Sequence, residues 1–237
     1  MPMTPPFFEW YRVLRHNHRW TVLLPLRWAL WLQRSDRKRT GAVCLAIALA
    51  IGSLGMSGCD ESSGFALSIE PSYTSADLES DQALAGAWTI TEGDVTFSFE
   101  QGQGKEYKVV VKERDGDKVT SAGFETHLMR IGAFFFLDFL PNAEVEGSDF
   151  FKMHLFRAHS IARAELSRDT LRMAFFDATW LQKKIDEKSV DVSYQKTDGM
   201  LLLTGTTEEV QNLLLLHGND DTAFPDPVNL ARQEVQQ

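Results

Sequence analysis

Val95-Thr-Phe-Ser-Phe-Glu100, then Gln101-Gly-Gln-Gly104, then Tyr107-Lys-Val-Val-Val-Lys112: this stretch decides the fold. Val95, Phe97 and Phe99 alternate with Thr96, Ser98 and Glu100, and Tyr107, Val109 and Val111 alternate with Lys108 and Lys112. A period of two with one apolar and one polar face is the pattern of antiparallel strands lying on a core. The glycines between them and Asp115-Gly116-Asp117 beyond them carry turn chemistry, Asp-Gly being a hairpin signal.

Working outward, the same punctuation continues. Strands are expected at Gly123 to Arg130, Ala133 to Leu140, Phe150 to Arg157, Ser160 to Leu166 and Thr170 to Phe176. Shorter ones follow at Val190 to Gln195 and Met200 to Thr204. Eight to ten short strands at near-regular spacing predict a mostly β domain from Leu84 to His217. The expected form is an antiparallel barrel with two short peripheral helices; a β-sandwich carrying the same helices is the alternative. Asp177 is placed to cap a helix reaching about Lys188, with Leu181 and Ile185 on one face. Thr206-Thr-Glu-Glu209 matches a capping box, Glu209 reaching back to the cap. Val210, Leu213, Leu214 and His217 then form one stripe, and Gly218 stops the helix.

Ala133-Phe-Phe-Phe-Leu-Asp-Phe-Leu140 is apolar on both faces, so something must cover its outer side. One of the helices is the natural cover, with Phe65, Leu67 and Ile69 a weaker one. Residues 59–83 are acidic and rich in small side chains, and read as a flexible tether spanning roughly 25–30 Å. Residues 218–237 read as a polar tail.

Ahead of the tether, Arg34, Arg37, Lys38 and Arg39 precede an apolar-and-small run, Ala42 to Met56, which ends in Ser57-Gly58-Cys59. Fifteen residues are too few to cross a bilayer, which takes about 20, and fit the core of a signal peptide. This order resembles the signal peptide and lipobox of bacterial lipoproteins. The resemblance implies diacylglycerol on the Cys59 thiol, cleavage just before it, and a periplasm-facing envelope protein held by its acyl chains. Asp60 resembles an inner-membrane retention signal, so the inner membrane is slightly preferred over the outer. Residues 1–33, with four of the six tryptophans, are read as a translation start set too far upstream; the alternative is a cytoplasmic extension whose charge helps orient the signal.

Setting the leader 1–58 aside leaves 179 residues with 16 basic and 31 acidic side chains, a formal charge of −15. That surface repels nucleic acid and anionic headgroups. Cys44 falls in the leader, so Cys59 is the one mature cysteine, and no disulfide is expected.

Leu84-x-Gly86-x-Trp88, opening the first strand, resembles the Gly-x-Trp signature of lipocalins and related calycin barrels. The resemblance implies a glycine that permits a tight start to the strand and a tryptophan that plugs the closed end. Lipocalins carry one long helix after strand eight, whereas two helices are expected here; a lipocalin-like barrel is therefore expected rather than membership. Fourteen of the 16 phenylalanines are mature, and either line a lumen or fill it.

Asp138, on the parity of Phe134 and Phe136, is the one acid in an apolar strand and must be paired or protonated. Arg130 or Arg157 are the expected partners. Asp138, Phe134, Phe136 and Trp88 are thus the candidate ligand-binding residues, Asp138 as polar anchor. His127, His154, His159 and His217 have no metal-ligand spacing, and no HExxH, CxxC, G-x-S-x-G or Walker pattern occurs, so neither cofactor, metal nor catalytic residue is expected. Gly102-x-Gly104 lies in a hairpin and reads as a turn. Two functions remain open: binding of an apolar molecule or lipid in the barrel, and an envelope interaction protein presenting an acidic surface.

Overall fold

A computed structural model describes residues 64–90, 94–142, 155–197 and 200–233. The leader and Cys59 lie outside these residues. In chain order the elements are β1 (Leu67–Ser68), β2 (Leu78–Glu79), a 3-10 turn (Gln82–Leu84), β3 (Gly86–Ile90), β4 (Val95–Gln101), β5 (Glu106–Asp115), β6 (Lys118–Ile131) and β7 (Phe134–Pro141). After them come β8 (His159–Leu166), β9 (Thr170–Phe175), α1 (Ala178–Asp186), β10 (Tyr194–Thr197), β11 (Met200–Leu203), α2 (Thr207–His217) and β12 (Val228–Arg232).

Strands β3 to β9 pair each with the next, all antiparallel. β12 then pairs with both β9 and β3 and shuts the ring. The result is a closed eight-stranded antiparallel barrel with two helices, consistent with a lipocalin-like barrel; the sandwich, which needs open sheet edges, does not form. The longest hairpin, β5–β6, turns on Gly116-Asp117 between Asp115 and Lys118. Gly116 takes φ 58° at the first central position, where a two-residue loop of this kind demands glycine.

Two apolar clusters lie on opposite sides of one wall. Inside the barrel, Trp88, Phe97, Tyr107, Leu137, Phe139 and Met173 are buried. Outside it, Met129, Phe136, Ile161 and Phe176 are covered by Trp180 and Leu181 of α1, Val210 and Leu214 of α2, and Phe224. This double burial is why β7 has no polar face. Arg163 anchors the outer layer: it donates to the Gly218 carbonyl at 2.9 Å and to Asp221 at 2.6 Å, and lies 5.3 Å over Phe224.

The helices begin where their caps are written. Asp177 accepts the Trp180 N–H at 2.6 Å, and Thr206 Oγ1 accepts the Glu209 N–H at 3.3 Å. Glu209 reaches back to the Thr206 backbone N–H, as the capping box requires, and its carboxylate also accepts the Ser193 N–H at 3.0 Å, which ties α2 to the approach to β10.

Four expectations are corrected. The polar tail contains β12, whose Leu230 is fully buried. From Gly64 onward the tether is docked: β1 pairs with β11 and β8, β2 pairs with β6, and Ala66, Ser68 and Ser72 are fully buried. Of the strand expected at Phe150 to Arg157, residues 150–154 lie outside the described ones and Leu155 to Arg157 are not strand. The strand expected at Val190 to Gln195 begins only at Tyr194, because Val190 and Val192 are drawn into the outer apolar cluster.

Candidate functional site

One end of the barrel is plugged by hydrogen bonds to the chain leading into β3, beside a cleft of about 220 Å³ lined by Leu84, Leu128, Leu137 and Leu171 among others. Trp88 is fully buried, its indole N–H donating to the Leu84 carbonyl at 2.8 Å. The Arg232 guanidinium lies 4.2 Å above the Trp88 ring and donates to the carbonyls of Ala85 (2.9 Å), Arg168 (3.2 Å) and Ala83. Gly86 takes φ 131°, and a Cβ there would stand 2.7 Å from Arg232 Nη1, so this position admits only glycine. Tyr107 completes the plug, its hydroxyl donating to the Asp81 carbonyl at 2.9 Å and accepting the Asp81 N–H at 2.8 Å.

The other end is open. There a cavity of about 250 Å³ is walled by Phe97, Val111, Phe124, Phe139 and Phe175, with Glu113, Thr120 and Ser160 among its polar lining. Phe65, arriving from the docked N-terminal segment, stacks on Phe175 with ring centroids 4.2 Å apart and forms part of this wall. A dry apolar cavity of about 150 Å³ holds benzene, so this one has room for a larger apolar group. Glu113 shares the inward parity of Tyr107, Val109 and Val111 and stands opposite Thr120. Burial holds its carboxyl above the usual carboxylate range.

None of the four residues read from the sequence as binding residues lines this cavity. Trp88 belongs to the plugged end. Phe134, Phe136 and Asp138 point out of the barrel, because Leu137 and Phe139 occupy the inward parity of β7. When both faces of a strand are apolar, the sequence gives no sign of which parity looks inward. Glu113 and the phenylalanines around it are what that reading missed. Its signal was the continuation of the β5 alternation by one step, which sets a carboxylate on the lumen side.

Asp138 instead fastens the N-terminal segment to the barrel. It accepts the Ser72 N–H at 3.0 Å and the Ser72 hydroxyl, and lies 2.5 Å from Nδ1 of the buried His159. The expected arginines are elsewhere: Arg130 over Phe135 and Arg157 beside Glu125 at 3.7 Å. The Ser72 hydroxyl is spent on Asp138 and not on the imidazole, so this cluster has the wrong order for nucleophile activation. The Tyr73 ring lies tilted against His127 beside it, centroids 4.5 Å apart. Burial, then the Asp138 charge, pushes the Tyr73 hydroxyl up to about 12. Burial pulls the His127 imidazole down, against the opposing pull of Asp138.

Comparison of the chain with family models, with curated proteins and with solved structures finds no match.

Proposed function

We propose that this is an exported lipoprotein that holds the apolar body of a small molecule or lipid in the open end of its barrel. The apolar cavity in the open end of the barrel is the observation that carries this reading. Phe65, in the cavity wall, is only six positions from Cys59. Six residues reach about 20 Å at most, so an acylated Cys59 would keep the mouth close to the bilayer surface. A ligand partitioning into that surface is the natural one, and Asp60 favours retention at the inner membrane. Native mass spectrometry of the protein extracted from membranes tests both parts: acyl mass on Cys59, and a co-purified small molecule lost in a lumen-filling variant such as Ala122→Trp. An unmodified Cys59 thiol would refute the anchor, and an empty barrel the cargo.

The second reading, an envelope interaction protein, is favoured by Leu215 and Leu216, 51 % and 76 % exposed side by side on α2. Crosslinking from α2 in intact cells would separate the two.

A further inference from the structure

Resting on the reading of the lumen as a ligand site, we propose that it selects amphiphiles with a cationic or neutral hydrogen-bond-donating head and rejects carboxylate- and phosphate-headed ones. Among the described residues the cavity wall holds one charged side chain, Glu113. No described lysine, arginine or histidine lines it, so an anionic head would meet the Glu113 carboxylate with no counter-charge from the described wall. Among the described residues Glu113 has no hydrogen-bond or ion-pair partner, and its carboxylate is free to accept from a ligand.

Among the described residues, nearby cations do not alter this. Lys112 and Arg114 stand on the opposite parity of β5 and face solvent. Lys118 shares the inward parity but sits at the hairpin tip, exposed and opposite Asp115, outside the cavity wall. The hydroxyls of Thr120, Ser121 and Ser160 complete a polar rim that donates to or accepts from neutral heads. A half-buried carboxylate some 4 Å from a ligand charge interacts several-fold more strongly than in bulk water. A preference of at least about tenfold for ammonium over carboxylate follows.

The test is a calorimetric titration of the protein with three probes of one chain length: octylammonium, 1-octanol and octanoate. Octylammonium should bind at least about tenfold tighter than octanoate, with octanol between them. Glu113→Gln should remove most of that difference. Glu113→Lys should reverse the order, and thermal unfolding of both variants checks that they fold. As pH falls and Glu113 gains its proton, octylammonium affinity should drop in the wild type and stay level in Glu113→Gln. If octanoate matches octylammonium, or Glu113→Gln leaves their ratio unchanged, the selectivity is wrong while octanol binding still supports the lumen site. If none of the three binds, the lumen reading and the selectivity fall together.

Discussion

Asp138→Ala should be among the most destabilising single substitutions in the outer layer of this protein. The carboxylate, 1 % exposed, serves three donors: the Ser72 N–H, the Ser72 hydroxyl and His159 Nδ1. Removing it leaves these groups buried without an acceptor, at about 1–3 kcal/mol for each that water cannot reach. Ser72 is fully buried and His159 nearly so, so little water relief is available. Removing one partner from a buried charged cluster costs roughly 3–5 kcal/mol, and that is the expected loss. Asp138→Asn keeps one oxygen for Ser72 and can turn its amide toward His159, so it should cost about 1–2 kcal/mol. Urea unfolding at neutral pH measures both. Amide exchange at Ser72 reports the undocking separately, and should quicken in Asp138→Ala. A loss below about 1 kcal/mol for the alanine variant, with Ser72 still protected, would refute the claim that Asp138 holds the N-terminal segment.

Arg232→Ala should lower stability by about 2–4 kcal/mol, because it removes the cation over Trp88 and hydrogen bonds to three carbonyls; thermal unfolding and tryptophan fluorescence check it, and an unchanged melt contradicts the role of Arg232 in plugging this end. Truncation after Pro227 deletes β12 and leaves β3 and β9 with unpaired edges, so cooperative unfolding should be lost by calorimetry. A burial-raised carboxyl at Glu113 keeps its proton in the folded chain where the unfolded chain, with its value at 4.5, has lost it. The group therefore costs stability as pH rises from the ordinary value through the raised one, and the advantage of Glu113→Gln over wild type should grow between about pH 4 and about pH 7. An equal gap at both ends would contradict this.

How far the sequence could be read depended on how far each element's pattern was local. β4 and β5 announce themselves because a half-buried strand must alternate, and α1 and α2 because Asp177 and Thr206 must satisfy free backbone N–H groups at the first turn. β12 escapes that logic. Its inward residues are Val228 and Leu230, too few for a period and preceded by Pro225 and Pro227, and it is a strand because β3 and β9 offer it open edges. β1 and β2, two residues each, are held by the same non-local pairing. The burial of this N-terminal segment is carried by Ala66, Ser68 and Ser72, which composition alone reads as linker. The cover over β7 was legible, its identity less so: both helices, Phe224 and the N-terminal segment share it. The site turned on parity. Asp138 draws notice as an acid among phenylalanines, yet it faces outward. Glu113 looks like one more charge on a solvated hairpin, yet it faces the lumen.

The most direct test of the lumen as a binding site is saturable binding of an uncharged apolar fluorophore, N-phenyl-1-naphthylamine, to wild type and to Ala122→Trp. Ala122 lines the mouth opposite Val111 on the inward parity, so a tryptophan there fills the cavity without disturbing the Trp88 end. Wild type should give a blue-shifted, saturating signal at one site per chain, displaced by 1-octanol. Ala122→Trp should melt normally and give none. Equal binding by the two proteins, or no binding by wild type, would contradict the account.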